Sequence, residues 1–131
     1  MKFPYKLFLI ILTINIVLLS ACSNEKEGNV EDYINSNPTE IKITNGQNGN
    51  TINIDNTEEK DKIIQQVKKL KIFPTKQEDL KGYNYRIELI NNEKLVNTIT
   101  LMGEVIQFDE NYYKVNEQEI KTLETLIDEL N

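Results

Sequence analysis

Between Tyr83 and Val115 the chain alternates apolar and polar residues in four runs separated by turn-forming residues. A helix would scatter that period-two pattern around its whole circumference, so the segment predicts strands. Tyr83, Tyr85, Ile87 and Leu89 alternate with Asn84, Arg86 and Glu88, which gives a strand with one apolar face. A loop at Asn91-Asn92-Glu93 sets Tyr85 opposite Ile99 and Tyr83 opposite Leu101. Gly103-Glu104 fits a two-residue type II′ turn, with glycine where positive φ is needed, and places Ile106 opposite Leu101 and Phe108 opposite Ile99. A last turn at Glu110-Asn111 sets Tyr113 opposite Phe108 and Val115 opposite Ile106. All three turns keep one apolar face, whereas a slip of one residue at any of them would send a whole apolar set to the other side.

The expected core face is Tyr83, Tyr85, Ile87, Leu89, Leu95, Ile99, Leu101, Ile106, Phe108, Tyr113 and Val115. The opposite face presents Asn84, Arg86, Glu88, Val96, Thr98, Thr100, Met102, Val105, Gln107, Tyr112 and Lys114. Upstream, Ile41, Ile43, Ile52 and Ile54 flank Asn45-Gly46-Gln47-Asn48-Gly49-Asn50, a hairpin signature. Asn56 followed by Glu59 opens a helix over 57–71, with Ile63, Ile64, Val67 and Leu70 on one face. Pro74 ends any continuation, and 75–82 reads as a polar loop. Asn116 and Glu119 open a C-terminal helix with the stripe Ile120, Leu123, Leu126, Ile127 and Leu130. The expected fold class is α+β: an N-terminal β-hairpin, a helix, a four-stranded antiparallel meander and a C-terminal helix, with the helices packed on one face of the sheet.

The N-terminal 22 residues obey a different logic. Lys2 and Lys6 precede an apolar run from Leu7 to Leu19, and Leu19-Ser20-Ala21-Cys22 follows, holding the only cysteine of 131 residues. A run of roughly 13 residues falls short of the roughly 20 that a membrane span needs, so it reads as a secretory signal at 1–21. The segment resembles the bacterial lipobox. That resemblance implies cleavage before Cys22, a diacylglyceryl group on its thiol, and retention at the outer face of the bacterial cell membrane. Through this signature the chain resembles the small lipoproteins of Gram-positive bacteria, and it is similar in size and layout to bacteriocin immunity lipoproteins. The expected partner of Cys22 is therefore the membrane, through lipid. Residues 22–38 read as a flexible acidic tether and 39–131 as one small domain.

Removal of residues 1–21 takes two of the 15 basic residues and none of the 21 acidic ones, moving the formal net charge from −6 to −8. An acidic exported domain with one arginine, Arg86, lacks the basic stripe of a nucleic-acid binder. The same net charge disfavours attraction to anionic lipid and leaves the acyl chains as the expected membrane contact. No histidine is present, so imidazole metal sites and Ser-His-Asp or Cys-His catalysis are excluded, and no cofactor or metal is expected. Glu58, Glu59 and Asp61 suit the first turn of a helix, where acids meet the helix dipole. Asp109, Glu110 and Asn111 suit a turn, as do Asn45-Gly46 and Asn48-Gly49. Residues 53–57 alternate oxygen-bearing side chains but lack the glycine and glutamate of a calcium loop.

On the outer sheet face Arg86, Val96, Met102, Val105, Tyr112 and Lys114 mix cations, an aromatic and small apolar groups, as interaction surfaces do. The expected function is a monomeric, non-catalytic binding or protective module with a protein or peptide partner at that face. The alternatives are a small carboxylate-dependent hydrolase or processing factor, and an accessory subunit of a transporter or sensor.

Overall fold

The computed structural model describes residues 26–34, 37–76 and 80–131; the lipobox and Cys22 lie outside them. In chain order the described elements are β1 (Gly28–Asn29), a single 3-10 turn (Val30–Asp32), β2 (Glu40–Asn45), β3 (Thr51–Ile54), α1 (Thr57–Lys68), β4 (Lys71–Pro74), β5 (Tyr85–Asn91), β6 (Lys94–Met102), β7 (Val105–Phe108), β8 (Asn111–Val115) and α2 (Glu117–Glu129). The strands form one antiparallel sheet in the order β1-β4-β8-β7-β6-β5-β2-β3. The class is α+β, but the sheet is twice the width of the expected meander. The N-terminal hairpin adds to it through β2–β5 pairing, and β1 and β4 extend the other side.

Both helices start where the sequence places them. The Asn56 side chain accepts from the backbone N–H groups of Glu58 and Glu59, and Asn116 accepts from that of Gln118, so orphan donors of each first turn are satisfied. α1 buries Ile63, Ile64 and Val67, and α2 buries Ile120, Leu123 and Ile127, all in one cluster with the apolar sheet face. The expected helix over 57–71 ends three residues early, because Lys71–Pro74 is recruited as β4. There Ile72 is buried opposite Val115. Pro74 pairs with Tyr113, while Thr75 donates its N–H to the Tyr112 carbonyl. That pattern leaves Pro74 directed at the free edge, where a missing N–H costs nothing.

The turn at Gly103-Glu104 forms as expected, with Gly103 at φ 72° and Met102 opposite Val105. The other two turns differ by two residues in register. Asn92 and Glu93, both with positive φ, make a two-residue turn of the type I′ kind, which sets Tyr85 opposite Leu101 and Ile87 opposite Ile99. Asp109, at φ 51°, starts the last turn, which sets Phe108 opposite Asn111 and Ile106 opposite Tyr113. An even shift preserves the side each residue faces, so nine of the eleven expected core-face residues are buried.

Leu95 is one of the two exceptions. Leu89 pairs with Asn97 but Ile90 with Leu95, so Val96 is an inserted bulge residue and Leu95 turns to the side of Ile90. Leu95 is 58% exposed and Val96 41%. The tether also differs from expectation. Gly28 and Asn29 pair with Ile72 and Lys71, Val30 and Ile34 are buried, and the Tyr33 ring lies 5.7 Å from that of Phe108. Three apolar residues that cannot build a core alone complete this one, so the folded unit includes residues from Gly28 onward and does not wait for Thr39.

Candidate functional site

Both described helices lie on one face of the sheet, and no described element covers the other, open face. Cross-strand pairing orders the open face into rows. Thr44, Arg86, Thr100, Gln107 and Tyr112 form one row across five strands. Met102, Val105, Lys114 and Phe73 form the next. Lys42, Glu88 and Thr98 form a third, on the other side of Arg86, with Lys42 Nζ 3.8 Å from Glu88 Oε2. A depression of about 390 Å³ is lined by Arg86, Glu88, Thr98, Thr100, Gln107, Asp109 and Glu110.

Of the six residues expected on this surface, Met102, Val105 and Lys114 are brought into one row. Arg86 and Tyr112 share another, but three strand spacings separate them, about 14 Å. Val96 sits in the bulge at the far end of β6 and is not part of the group. Val105 is only 5% exposed, so it supports the surface rather than offering contact area. Thr100, Gln107 and Phe73 belong to the site and were not among the expected six. Thr100 and Gln107 were already on the outer face by alternation; Phe73 had no signal, because its strand is defined only by pairing with the distant β1 and β8.

Tyr83 and Asn84 exchange their expected sides. The chain bends at Asn84, and the Arg86 guanidinium lies 4.6 Å over the Tyr83 ring, a cation–π contact that places Tyr83 with the open face. The Asn84 amide instead donates to Glu124 Oε1 at 2.7 Å on α2. Gly46 permits this close approach: its N–H donates to the Asn84 carbonyl, and a Cβ on Gly46 would come within 1.8 Å of the Tyr83 carbonyl oxygen.

On the helix side a polar pocket of about 320 Å³ is lined by Asn45, Gln47, Asn84, Tyr85, Glu124 and Asp128. Its two carboxylates, one helical turn apart, are engaged by the sheet: Asn84 donates to Glu124 and the Tyr85 hydroxyl to Asp128. Burial, together with that bond and the charges of Asp128 and Glu124, pushes the Tyr85 hydroxyl up to about 12. Its proton is therefore held at neutral pH, and the arrangement ties α2 to β5. Two further acids serve local structure. Glu58 pairs with Lys62 at 2.9 Å, which holds its carboxyl below the usual range. Asp109 accepts from the Thr98 N–H and the Asn97 amide and so clamps β6 just beyond its bulge. Asn45 and Asn48 accept from the N–H groups of Gln47 and Asn50, which makes the glycine-rich loop two successive Asx turns.

Among the described residues no group of three or more His, Cys, Asp or Glu side chains is placed to hold a metal ion, and no helix is long and apolar enough to cross a membrane. No protein-family model matches the chain, and no curated protein or solved structure matches it.

Proposed function

We propose that this protein is a lipid-anchored lipoprotein of the outer face of the bacterial cell membrane, and that it acts as a non-catalytic binding or protective module through its open sheet face. The observation that carries the reading is the sidedness of charge. The open face presents Lys42, Lys71, Arg86 and Lys114 against Glu40 and Glu88 on its strands, in a chain whose net charge is −6. α2, on the opposite side, holds five acids and one lysine. A face with cations, the Tyr83–Arg86 stack, Tyr112 and a shallow polar depression suits a partner that presents acidic groups and extended backbone.

Crosslinking in intact cells tests the binding reading. Arg86→Glu combined with Tyr112→Ala should abolish capture of the partner while thermal stability stays nearly unchanged. Capture that survives this double variant would place the binding surface elsewhere. The anchor is tested separately: Cys22→Ser should release the protein from the membrane fraction or leave its precursor unprocessed, and mass spectrometry of the wild-type N-terminus should find an acylated cysteine.

A further inference from the structure

The described chain joins the sheet at an edge, through β1, and that point is close in sequence to Cys22. Six residue steps separate Cys22 from Gly28, the first residue of β1, and even a fully extended chain covers only about 20 Å over that length. A lipid on Cys22 therefore keeps the β1–β4 edge within about 20 Å of the headgroups, whatever path the intervening residues take. A domain starting at Thr39 would have had no such constraint.

What this edge presents on the open face is cationic and aromatic. Lys71 and Phe73 flank the buried Ile72 on β4, and Phe73 lies opposite Lys114 of β8. Phe73 is 39% exposed, the Lys71 side chain 61%, and Lys114 is exposed. The neighbouring carboxylate is Glu27, 3.7 Å from Lys71 in an exposed pair, an interaction of little weight in water. Glu119, which accepts from the Lys71 N–H, belongs to α2, across the sheet. Glu104, exposed in the turn before Val105, accepts through its carbonyl from the Val115 N–H and is the other acid at this end, while Asp109 and Glu110 rim the depression at the opposite end. The more exposed apolar pair, Leu95 and Val96, is also at that end, on the order of 25 Å from Phe73 by strand spacing and rise.

We infer that the corner of the open face formed by Lys71, Phe73 and Lys114 docks on anionic lipid headgroups, holding the domain at the bilayer by that corner. The inference rests on the reading of Cys22 as a lipid anchor. The anchor raises the local concentration of the corner at the surface, each lysine there contributes about fivefold, and an exposed aromatic among cations suits the headgroup boundary. Net charge, which argues against lipid attraction, is the wrong quantity here, because charges beyond about 10 Å are screened at physiological salt.

The chain contains no tryptophan, so a single introduced one reports on its own position. The full-length acylated protein is placed in vesicles of phosphatidylcholine with or without phosphatidylglycerol, each carrying a headgroup-level quencher. Phe73→Trp should be quenched only where phosphatidylglycerol is present, and Leu95→Trp in neither vesicle. Adding Lys71→Glu and Lys114→Glu should lower the docking equilibrium constant at least about twenty-five-fold without changing the circular dichroism spectrum. If Phe73→Trp fails to fold, Met102→Trp in the same cross-strand row replaces it. Equal quenching at positions 73 and 95, quenching independent of phosphatidylglycerol, or none at position 73 overturns the inference alone. An unmodified Cys22 in the exported protein overturns the anchor and the inference together.

Discussion

On the covered face of the sheet Ile87, Ile99, Leu101 and Ile106 are sealed under the two helices, while their chain neighbours Arg86, Thr98, Thr100 and Gln107 stand on the face that no helix covers. The same strands thus carry two different duties. The covered side is almost wholly aliphatic, so its stability comes from burial and close packing, which any change of volume disturbs. The open side is stabilised mainly by the backbone ladder beneath it, which leaves its side chains free to take up charge and aromatic character without endangering the fold. Thr100 and Val105 qualify this division. Both are buried on the open side, Thr100 between Arg86 and Gln107 and Val105 between Met102 and Lys114, where the stems of long neighbours cover them.

The largest test of the comparison is on the covered side. Ile99→Ala and Phe108→Ala should each lower unfolding free energy by about 2 to 5 kcal/mol in denaturant titrations, the range for large-to-small changes in a packed core. Val105→Ala asks whether burial or sheet side decides the cost, and should lose about 1 to 2 kcal/mol for two buried methyl groups; a silent result would make the face alone decisive.

Tyr85→Phe probes the seam between α2 and the sheet. At neutral pH the lost hydrogen bond to Asp128 should cost about 1 kcal/mol. A hydroxyl whose pKa is raised by folding, here from 10.0 to about 12, contributes stability that is complete below pH 10 and is lost as the pH climbs toward 12. The variant should therefore show a shallower alkaline decline than wild type, the residual slope including Tyr113, whose hydroxyl is also raised by burial and by Tyr33. The smallest effects belong to the open face: Thr98→Ala and Gln107→Ala should stay within about 0.5 kcal/mol, and if they cost as much as Ile99→Ala the two faces are not distinct.

How much of this was legible in the sequence depends on the range of the interaction. Strand sides, helix starts at Asn56 and Asn116, and the Gly103-Glu104 turn were readable because each is set within a few residues. The registers at Asn92-Glu93 and Asp109-Glu110 were misread by two residues, since alternation distinguishes odd slips from even ones and is blind to the latter. The candidate site suffered in the same way: Val96 was counted with Arg86 because nothing local announced the bulge, and Phe73 was missed because Lys71–Pro74 becomes a strand only when Val115 and Tyr113 are beside it.

The sequence by itself determined that this chain is α+β with one apolar sheet face, a single cysteine and an acidic net charge. Those properties follow from composition and from periodicities of 2 and 3.6 residues, which need no knowledge of distant partners. Only the tertiary structure decided that the sheet has eight described strands, that Gly28 and Val30 belong to the fold, and that lysines from β2, β4 and β8 share a face with Arg86 while the acids of α2 lie on the other. Strand order and the sidedness of charge depend on pairings between residues as far apart as Gly28 and Ile72, or Glu40 and Ile90. Such contacts are selected by the whole core burying its surface at once, not by any local preference of the residues that make them.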